Sequence, residues 1–199
     1  MPPTRPITRL CVFCGTNAGA RPEYGAAARQ LGTLLAAENI ELVYGGASVG
    51  IMGELADAVQ EGGGHVTGII PQQLIQKEAA HRGIQDLIVV ASMHQRKSQM
   101  ADLSDGFIAL PGGIGTLEGF LEIVTWGQLG IHAKPCGILN IAGYFDALTA
   151  FLDHAVEQGF LTEAHRGTIM VESDPRALLE RMRNYSPPAS APLMGRAHR

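Results

Sequence analysis

The fold of this chain is decided by one stretch, FIALPGGIGTLEGFLE, which occupies residues 107–122. A short apolar run leads into a proline and three glycines, and a helix-like segment that carries two acids follows. Glycines at such a strand-to-helix turn let the backbone approach an anion closely, and the first N–H groups of the new helix are unpaired. The positive end of the helix dipole favours the same negative group. The stretch therefore predicts a phosphate site between a β-strand and an α-helix.

Apolar, strand-like runs alternate with helix-like segments along almost the whole chain. The runs cover residues 10–13, 41–44, 65–70, 86–90, 106–110, 136–139 and 168–171. The helix-like segments cover residues 22–38, 50–61, 93–103, 117–129, 144–158 and 175–183. Such alternation is typical of a parallel sheet that helices cover on both faces. The sequence therefore predicts an α/β fold, a Rossmann-like, doubly wound parallel sheet of about seven strands in a single domain.

Composition and termini set the class of protein. The chain has 199 residues, of which 46% are hydrophobic and 17% are charged, and its net charge is −4. No apolar stretch approaches the about 20 residues that span a bilayer, and the first residues lack the apolar core of a signal peptide. We expect a cytoplasmic protein with no nucleic-acid or membrane partner. It would comprise an N-terminal extension (1–8), a nucleotide-binding domain (9–185) and a proline-rich, disordered tail (186–199).

The cysteines form a pattern that could suggest metal or redox chemistry. Cys11 and Cys14 make a C-x-x-C, and Cys136 leaves the total odd, which is unlike a secreted disulfide framework. Cys11 and Cys14 lie in an apolar, strand-like run, where an offset of three residues places two side chains on opposite faces. We therefore predict a structural role for both thiols and no metal site.

Four predicted strands end in residues that suit ligand binding. Gly15 follows the first strand, Gly45 follows the second, and the segment with Met93, Arg96 and Lys97 follows the fourth. Ligands of doubly wound sheets bind outside the carboxyl ends of the strands, so these residues are expected to converge on the glycine-rich turn. None of the turns spells G-x-G-x-x-G, the dinucleotide fingerprint, so a nucleoside monophosphate fits better than NAD.

Two pairs of charged residues are candidates for chemistry. Arg96 and Lys97 would begin a helix beside the glycine-rich turn, where arginine binds phosphate in a bidentate manner and lysine adds a point charge. A solvated helix face is the alternative, but the chain has only three lysines, which argues against it. Glu118 and Glu122 are four residues apart and share a helix face. Such carboxylates can stabilise an oxocarbenium-like sugar, although acids near a helix start are also favoured by the dipole alone.

The motifs Met93-His94-Gln95-Arg96-Lys97 and Pro111-Gly112-Gly113-Ile114-Gly115-Thr116 together resemble the signatures M-H-x-R-K and P-G-G-x-G-T-x-x-E of the lonely-guy family of cytokinin-activating phosphoribohydrolases. The resemblance implies hydrolysis of the N-glycosidic bond of an N6-substituted AMP, a homodimer, and neither metal nor redox cofactor. It further implies that Gly112, Gly113, Gly115 and Thr116 hold the 5′-phosphate, that Arg96 is the catalytic arginine, and that Met93 lies near the base. The family's older label, lysine decarboxylase, would need pyridoxal phosphate, and no paired acid for its pyridinium nitrogen is evident. Molybdenum-cofactor carrier proteins share a similar turn and are a more distant alternative.

One position departs from the family motif. The motif's last glutamate, the family's catalytic carboxylate, falls on Gly119. At about 100° per residue, Glu122 points between the directions of Glu118 and of position 119, so it is the better of two partial substitutes. We expect a void at Gly119 that substrate or water could enter. The sequence thus predicts a phosphoribohydrolase with impaired activity, or alternatively a nucleoside-monophosphate-binding protein that has lost catalysis.

Overall fold

The computed structural model describes residues 6–77 and 79–188, and within them seven strands form one parallel sheet. The strands are β1 (Arg9–Phe13), β2 (Glu41–Tyr44), β3 (Val66–Pro71), β4 (Asp86–Val90), β5 (Gly106–Ala109), β6 (Cys136–Leu139) and β7 (Ile169–Glu172). The α-helices are α1 (Pro22–Ala37), α2 (Gly50–Glu61), α3 (Met93–Leu103), α4 (Ile114–Gln128), α5 (Asp146–Glu157), α6 (Glu163–Gly167) and α7 (Pro175–Arg183). The predicted α/β fold is confirmed.

The order of the strands fixes where a ligand can bind. The sheet runs β4-β3-β2-β1-β5-β6-β7, so the chain starts at the centre, moves outward to β4 and then returns to β5. Leu10 of β1 consequently pairs with Leu42 on one side and with Gly106 on the other. The connections that leave β1 and β5 run in opposite directions, and they leave a crevice outside the carboxyl ends of these two strands.

The sheet separates two layers of packed side chains. Because successive side chains of a strand point to opposite faces, Leu10 and Val12 pack on the layer of α1, α2 and α7. Cys11 and Phe13 pack on the other layer, with α3 and α4. Cys14 belongs to the first layer, so the two thiols of the C-x-x-C lie on opposite faces, as the offset of three residues predicted.

Some element boundaries differ from the sequence-based expectations. Helix α4 begins at Ile114 rather than at residue 117, because Gly113 already takes the extended N-cap conformation. Helix α5 begins two residues later than predicted, since a 3-10 turn at Ile141–Gly143 precedes it. The short helix α6 was not predicted, although its N-cap, Thr162, accepts a hydrogen bond from the N–H of His165.

The residues before β1 are fastened to the domain by hydrogen bonds. The backbone N–H and the hydroxyl of Thr8 both donate to the Asp105 carboxylate at 2.9 Å, which fastens the residues before β1 to the turn before β5. Most of the predicted tail, residues 189–199, lies outside the described residues, so its disorder stays a prediction. No helix in residues 6–77 or 79–188 is long and apolar enough to cross a membrane.

Candidate active site

A cavity of about 400 Å³ lies at the carboxyl ends of β1 and β5, in the crevice that the strand order creates. The connections after β1, β2 and β5 line it together with the first turns of α3 and α4. The predicted site residues that line the cavity are Gly15, Gly45, Met93, Arg96, Lys97, Gly112, Gly113, Gly115, Thr116 and Glu118. Glu122 is not among the lining residues.

The glycine-rich turn after β5 forms the part of the cavity that suits an anion. A Cβ on Gly112 would lie 2.7 Å from the Gly15 backbone nitrogen, so the β1 and β5 connections pack together only with glycine at this position. The Gly15 N–H donates to the Pro111 carbonyl at 3.1 Å and ties the two connections together. A Cβ on Gly113 or Gly115 would meet nothing within 4 Å, so the start of α4 is open to the cavity. The Thr116 N–H donates to the Gly113 carbonyl at 3.1 Å. The backbone N–H groups that precede it, at the positive end of the helix dipole, can hold a phosphate.

Tyr144 braces the same turn from outside the predicted motifs. Its hydroxyl donates to the Gly112 carbonyl at 2.6 Å, and its ring packs edge-on against Tyr24 with the centroids 5.5 Å apart. No role for Tyr144 was predicted from the sequence. Because β5 and the segment before α5 are separated by α4 and β6, only the fold brings the hydroxyl to the turn.

Arg96 is held rigidly at the bottom of the cavity. Ser92 caps α3 by accepting from the Gln95 N–H, which fixes the first helical turn. The Arg96 guanidinium then donates to the Ile69 carbonyl at 2.9 Å and to the Gly45 carbonyl at 2.6 Å. Only 7% of the residue is exposed. The guanidinium occupies the space that a side chain at Gly45 would need, so Gly45 serves this packing.

Lys97 makes different contacts from those expected of a phosphate ligand. Its Nζ donates to Glu118 Oε1 at 2.5 Å and lies 2.8 Å from Glu122 Oε2. Burial lowers the pKa of the Lys97 ammonium, but the two neighbouring carboxylates outweigh it, so the net pKa is raised above its ordinary value. Lys97 is therefore charged at neutral pH and is engaged by two acids.

The two acids differ in their relation to the cavity. The Glu118 side chain is 52% exposed and lines the cavity. The Glu122 side chain is 30% exposed, and its Oε2 is buried with the Lys97 ion pair but without a hydrogen bond of good geometry among the described residues. The structure thus places Glu118, rather than Glu122, where a ligand can be contacted.

Gly119 does not leave the void that the sequence suggested. Gly119 is buried, and a Cβ at this position would lie 2.9 Å from two carbon atoms of the Phe13 ring. Phe13 and Gly119 both line the cavity, and the Phe13 ring takes the space beside the glycine that a side chain would need. The expected space at Gly119 is therefore narrower than α4 alone suggested, because the strand beneath the helix contributes the Phe13 ring, whereas the glycine still borders the cavity.

The remaining wall of the cavity is apolar. It is built from side chains of β1, α2 and α3, namely Val12, Ile51, Met52, Met93 and Met100. Flexible methionine side chains suit an irregular apolar ligand surface. Only Met93 of this wall was predicted as a site residue, since Met52 and Met100 lie outside the two signature motifs.

Comparisons with known proteins agree with this geometry. A family model described as "Possible lysine decarboxylase" matches residues 52–182. The probable cytokinin riboside 5′-monophosphate phosphoribohydrolase LOGL9 of Oryza sativa subsp. japonica is 50% identical over 179 residues, which cover 90% of this chain and 79% of that protein. Cytokinin riboside 5′-monophosphate phosphoribohydrolase LOG1 of Arabidopsis thaliana is 49% identical over 179 residues, which cover 90% of this chain and 84% of that protein.

Solved structures show the same fold at lower identity. The molybdenum cofactor binding protein of the phototrophic bacterium Rippkaea orientalis matches with a TM-score of 0.65 at 22% identity, covering 88% of this chain and 95% of that one. Identity at that level supports a shared fold only. The family model and the relatives of about half identity decide the assignment: the chain belongs to the lonely-guy family of cytokinin riboside 5′-monophosphate phosphoribohydrolases.

Proposed function

We propose that this protein hydrolyses the N-glycosidic bond of AMP that carries an N6 substituent, a cytokinin riboside 5′-monophosphate, to the free base and ribose 5-phosphate. The observation that carries the proposal is the cavity at the strand-order reversal, where the open glycine turn, Arg96 and Glu118 meet. The names of the relatives that are about half identical to this chain point to the same reaction.

Different residues would bind the nucleotide and assist cleavage of its N-glycosidic bond. Gly112, Gly113, Gly115 and Thr116 would hold the 5′-phosphate at the start of α4. Arg96, fixed by two backbone carbonyls, would face the nucleotide at the bottom of the cavity. A carboxylate at the cavity wall would stabilise the positive charge that develops on the ribose as the bond to the base breaks. As the bond between the ribose C1′ and the base nitrogen breaks, the oxygen of a water molecule bonds to C1′, one of its protons stays on the new hydroxyl, and the other is transferred to the leaving base.

Base release from nucleotides tests the proposal directly. Purified protein is incubated with isopentenyladenosine 5′-monophosphate and with AMP, and the free base is separated and quantified. We expect base from the nucleotides and none from isopentenyladenosine, which lacks the phosphate. If neither nucleotide releases base above an enzyme-free blank, the proposal is rejected.

A second candidate function is nucleotide binding without turnover, which Gly119 specifically favours. Without the family's carboxylate, the phosphate turn and Arg96 can bind AMP while hydrolysis is slow, since a positioned acid or base group contributes about 10²–10⁴-fold to rate. Calorimetry with AMP, run beside the base-release assay, distinguishes the two functions. Tight binding with no base supports this candidate, and measurable turnover excludes it.

A homodimer is part of the proposal, and α5 supports it. None of the residues of α5 is buried in the single chain, and Phe151 on this helix is 64% exposed. Phe160, shortly after α5, is 91% exposed. A second copy would cover such a surface. Light scattering coupled to size exclusion gives the molar mass, and a monomer at micromolar concentration would contradict the dimer.

We also propose a cytoplasmic location. Three cysteines are buried as free thiols, which suits a reducing compartment. Cell fractionation of the tagged protein tests this, and recovery in a membrane or secreted fraction would contradict it.

A further inference from the structure

We propose that Lys97 is a positioning residue: anchored on Glu122, it holds the Glu118 carboxylate at the cavity wall beside Gly119, where Glu118 takes the place of the family's missing carboxylate. This inference rests on the proposed hydrolysis. It assigns to Lys97 a role that differs from phosphate binding, and it reverses the sequence-based preference for Glu122 over Glu118 as the substitute carboxylate.

The geometry assigns a different role to each of Lys97, Glu118 and Glu122. Lys97 projects from α3 toward α4, and its Nζ lies between carboxylates that are one helical turn apart. The Lys97 side chain is only 10% exposed, and its ammonium lies between the two carboxylates. Glu122 Oε2 is buried and lies outside the cavity lining, whereas Glu118 lines the cavity. Glu122 therefore anchors the lysine, and the lysine in turn holds Glu118.

The net charge of Lys97, Glu118 and Glu122 argues against a phosphate as their ligand. Two carboxylates and one ammonium give a formal charge of −1, which repels a phosphate and attracts a ribose that becomes positive as its bond to the base breaks. The proposed phosphate site is at the start of α4, where a Cβ on Gly113 or Gly115 would meet nothing within 4 Å, so the backbone is accessible from the cavity. Lys97 is thus not needed for phosphate binding and is already engaged elsewhere.

Gly119 explains why Glu118 needs to be held. Adjacent positions of a helix point about 100° apart, so a carboxylate at 118 does not aim where one at 119 would. A glutamate side chain loses much rotamer freedom when it is fixed, and an unrestrained Glu118 would spend little time at the reacting sugar. The salt bridge with Lys97 restricts the carboxylate to the wall beside Gly119 and lowers the entropy lost in reaching the transition state.

The test separates rate from binding. The variants are Glu118→Gln, Lys97→Met, their combination and Lys97→Arg, with the exposed Lys77→Met as a matched control for the loss of a lysine. We expect Glu118→Gln to lower kcat about 10²-fold, and Lys97→Met to lower it about tenfold or more, in the range of a misplaced acid or base group. KM and the calorimetric affinity for ribose 5-phosphate should change less than threefold. Lys97→Arg should restore part of kcat, and the double variant should be no slower than Glu118→Gln alone, because the two residues act as one unit.

Three results would overturn the inference. The first is an unchanged kcat in Lys97→Met. The second is a tenfold or greater loss of ribose 5-phosphate affinity in that variant, which would make Lys97 a phosphate ligand. The third is additive losses in the double variant. Circular dichroism checks folding, and if Lys97→Met does not fold, Lys97→Arg against Glu118→Gln provides the same comparison. Each of these three results rejects only the role of Lys97, because each is measured against a parent protein that is active. An inactive parent protein would reject the proposed hydrolysis and this inference with it.

Discussion

The two sides of the cavity are built on different principles. On one side, the turn Pro111 to Thr116 offers backbone groups that suit an anion, and its glycines are those of the family motif. On the other side, side chains from α3, α4 and β1 meet at Gly119, where the motif is broken. A backbone site depends on a few positions in one short segment. A side-chain site depends on partners that are distant in sequence, so it can change while the glycine-rich turn stays intact.

Arg96 lies where the two sides meet, and its loss should have the largest effect. We expect Arg96→Ala to lower kcat/KM about 10³-fold, because a preorganised charge at the reacting nucleotide is removed. The carbonyls of Ile69 and Gly45 also lose their donors, at a cost of about 1–3 kcal/mol each in stability. Base-release kinetics and urea unfolding measure both effects.

Arg29→Ala is the matched control for Arg96→Ala. Arg29 forms an exposed ion pair with Glu54, and exposed pairs contribute about 0–1 kcal/mol. Equal effects of the two variants would contradict the placement of Arg96 in the site.

Restoring the family's carboxylate at position 119 should change catalysis at the side of the cavity that side chains form, and not ligand binding at the glycine-rich turn. We expect Gly119→Glu to raise kcat by up to about 10²-fold, the lower range for a positioned acid or base group, without changing the affinity for AMP. The new Cβ would lie 2.9 Å from the Phe13 ring, so the ring has to move. The double variant Phe13→Leu/Gly119→Glu should therefore gain more than Gly119→Glu.

Single-turnover base release compares these variants, and Phe13→Leu alone is the control. If neither the single variant Gly119→Glu nor the double variant is faster than the parent protein, a carboxylate at this position is not what limits turnover.

Two alanine substitutions in the glycine-rich turn should separate the effect on AMP affinity from the effect on folding stability. Gly115→Ala adds a Cβ that touches nothing within 4 Å in the free protein, so it should weaken AMP binding about tenfold without lowering Tm. Gly112→Ala places a Cβ 2.7 Å from the Gly15 nitrogen and should lower stability by about 1–3 kcal/mol as well.

Calorimetry and thermal unfolding measure the two quantities. Gly25→Ala in α1, whose Cβ finds its nearest neighbour at 3.7 Å, should leave binding unchanged. Undiminished AMP binding by Gly115→Ala would place the phosphate elsewhere.

The smallest effect concerns the buried thiols of Cys14 and Cys136. Burial raises the pKa of Cys14 and of Cys136 from 9.0 to about 12. The folded chain therefore keeps protons that the unfolded chain releases, and stability should be complete below pH 9.0 and fall between pH 9.0 and about 12. Urea unfolding at several pH values measures the slope. Cys136→Ala should reduce that slope, and an unchanged slope would assign the loss to other groups.

Local patterns in the sequence were sufficient to predict the sheet and the position of the glycine-rich turn between β5 and α4. The apolar runs predicted all seven strands, because buried parallel strands are apolar on both faces. The start of α4 was placed too late because glycine disfavours helix interiors, whereas Gly113 is an N-cap, where glycine is accepted.

The side-chain half of the site was harder to predict because its contacts are not local. Arg96 donates to a carbonyl 51 residues away in the sequence, and Lys97 donates to a carboxylate 21 residues away. No local pattern indicates that Phe13 covers Gly119 or that Tyr144 braces Gly112. These contacts depend on the order of the strands, which spacing along the chain does not encode.

The pairing of β1 with β5 has a consequence for how the protein is made. Leu10 pairs with Gly106, so the two central strands meet only after α1, β2, α2, β3, β4 and α3 have all been synthesised between them. Such long-range parallel pairing closes a large loop and forms slowly. Gly15 and the glycine turn after β5 are brought together by this step. A nucleotide therefore cannot assist the early folding of the growing chain, and it stabilises the protein only once the sheet is complete.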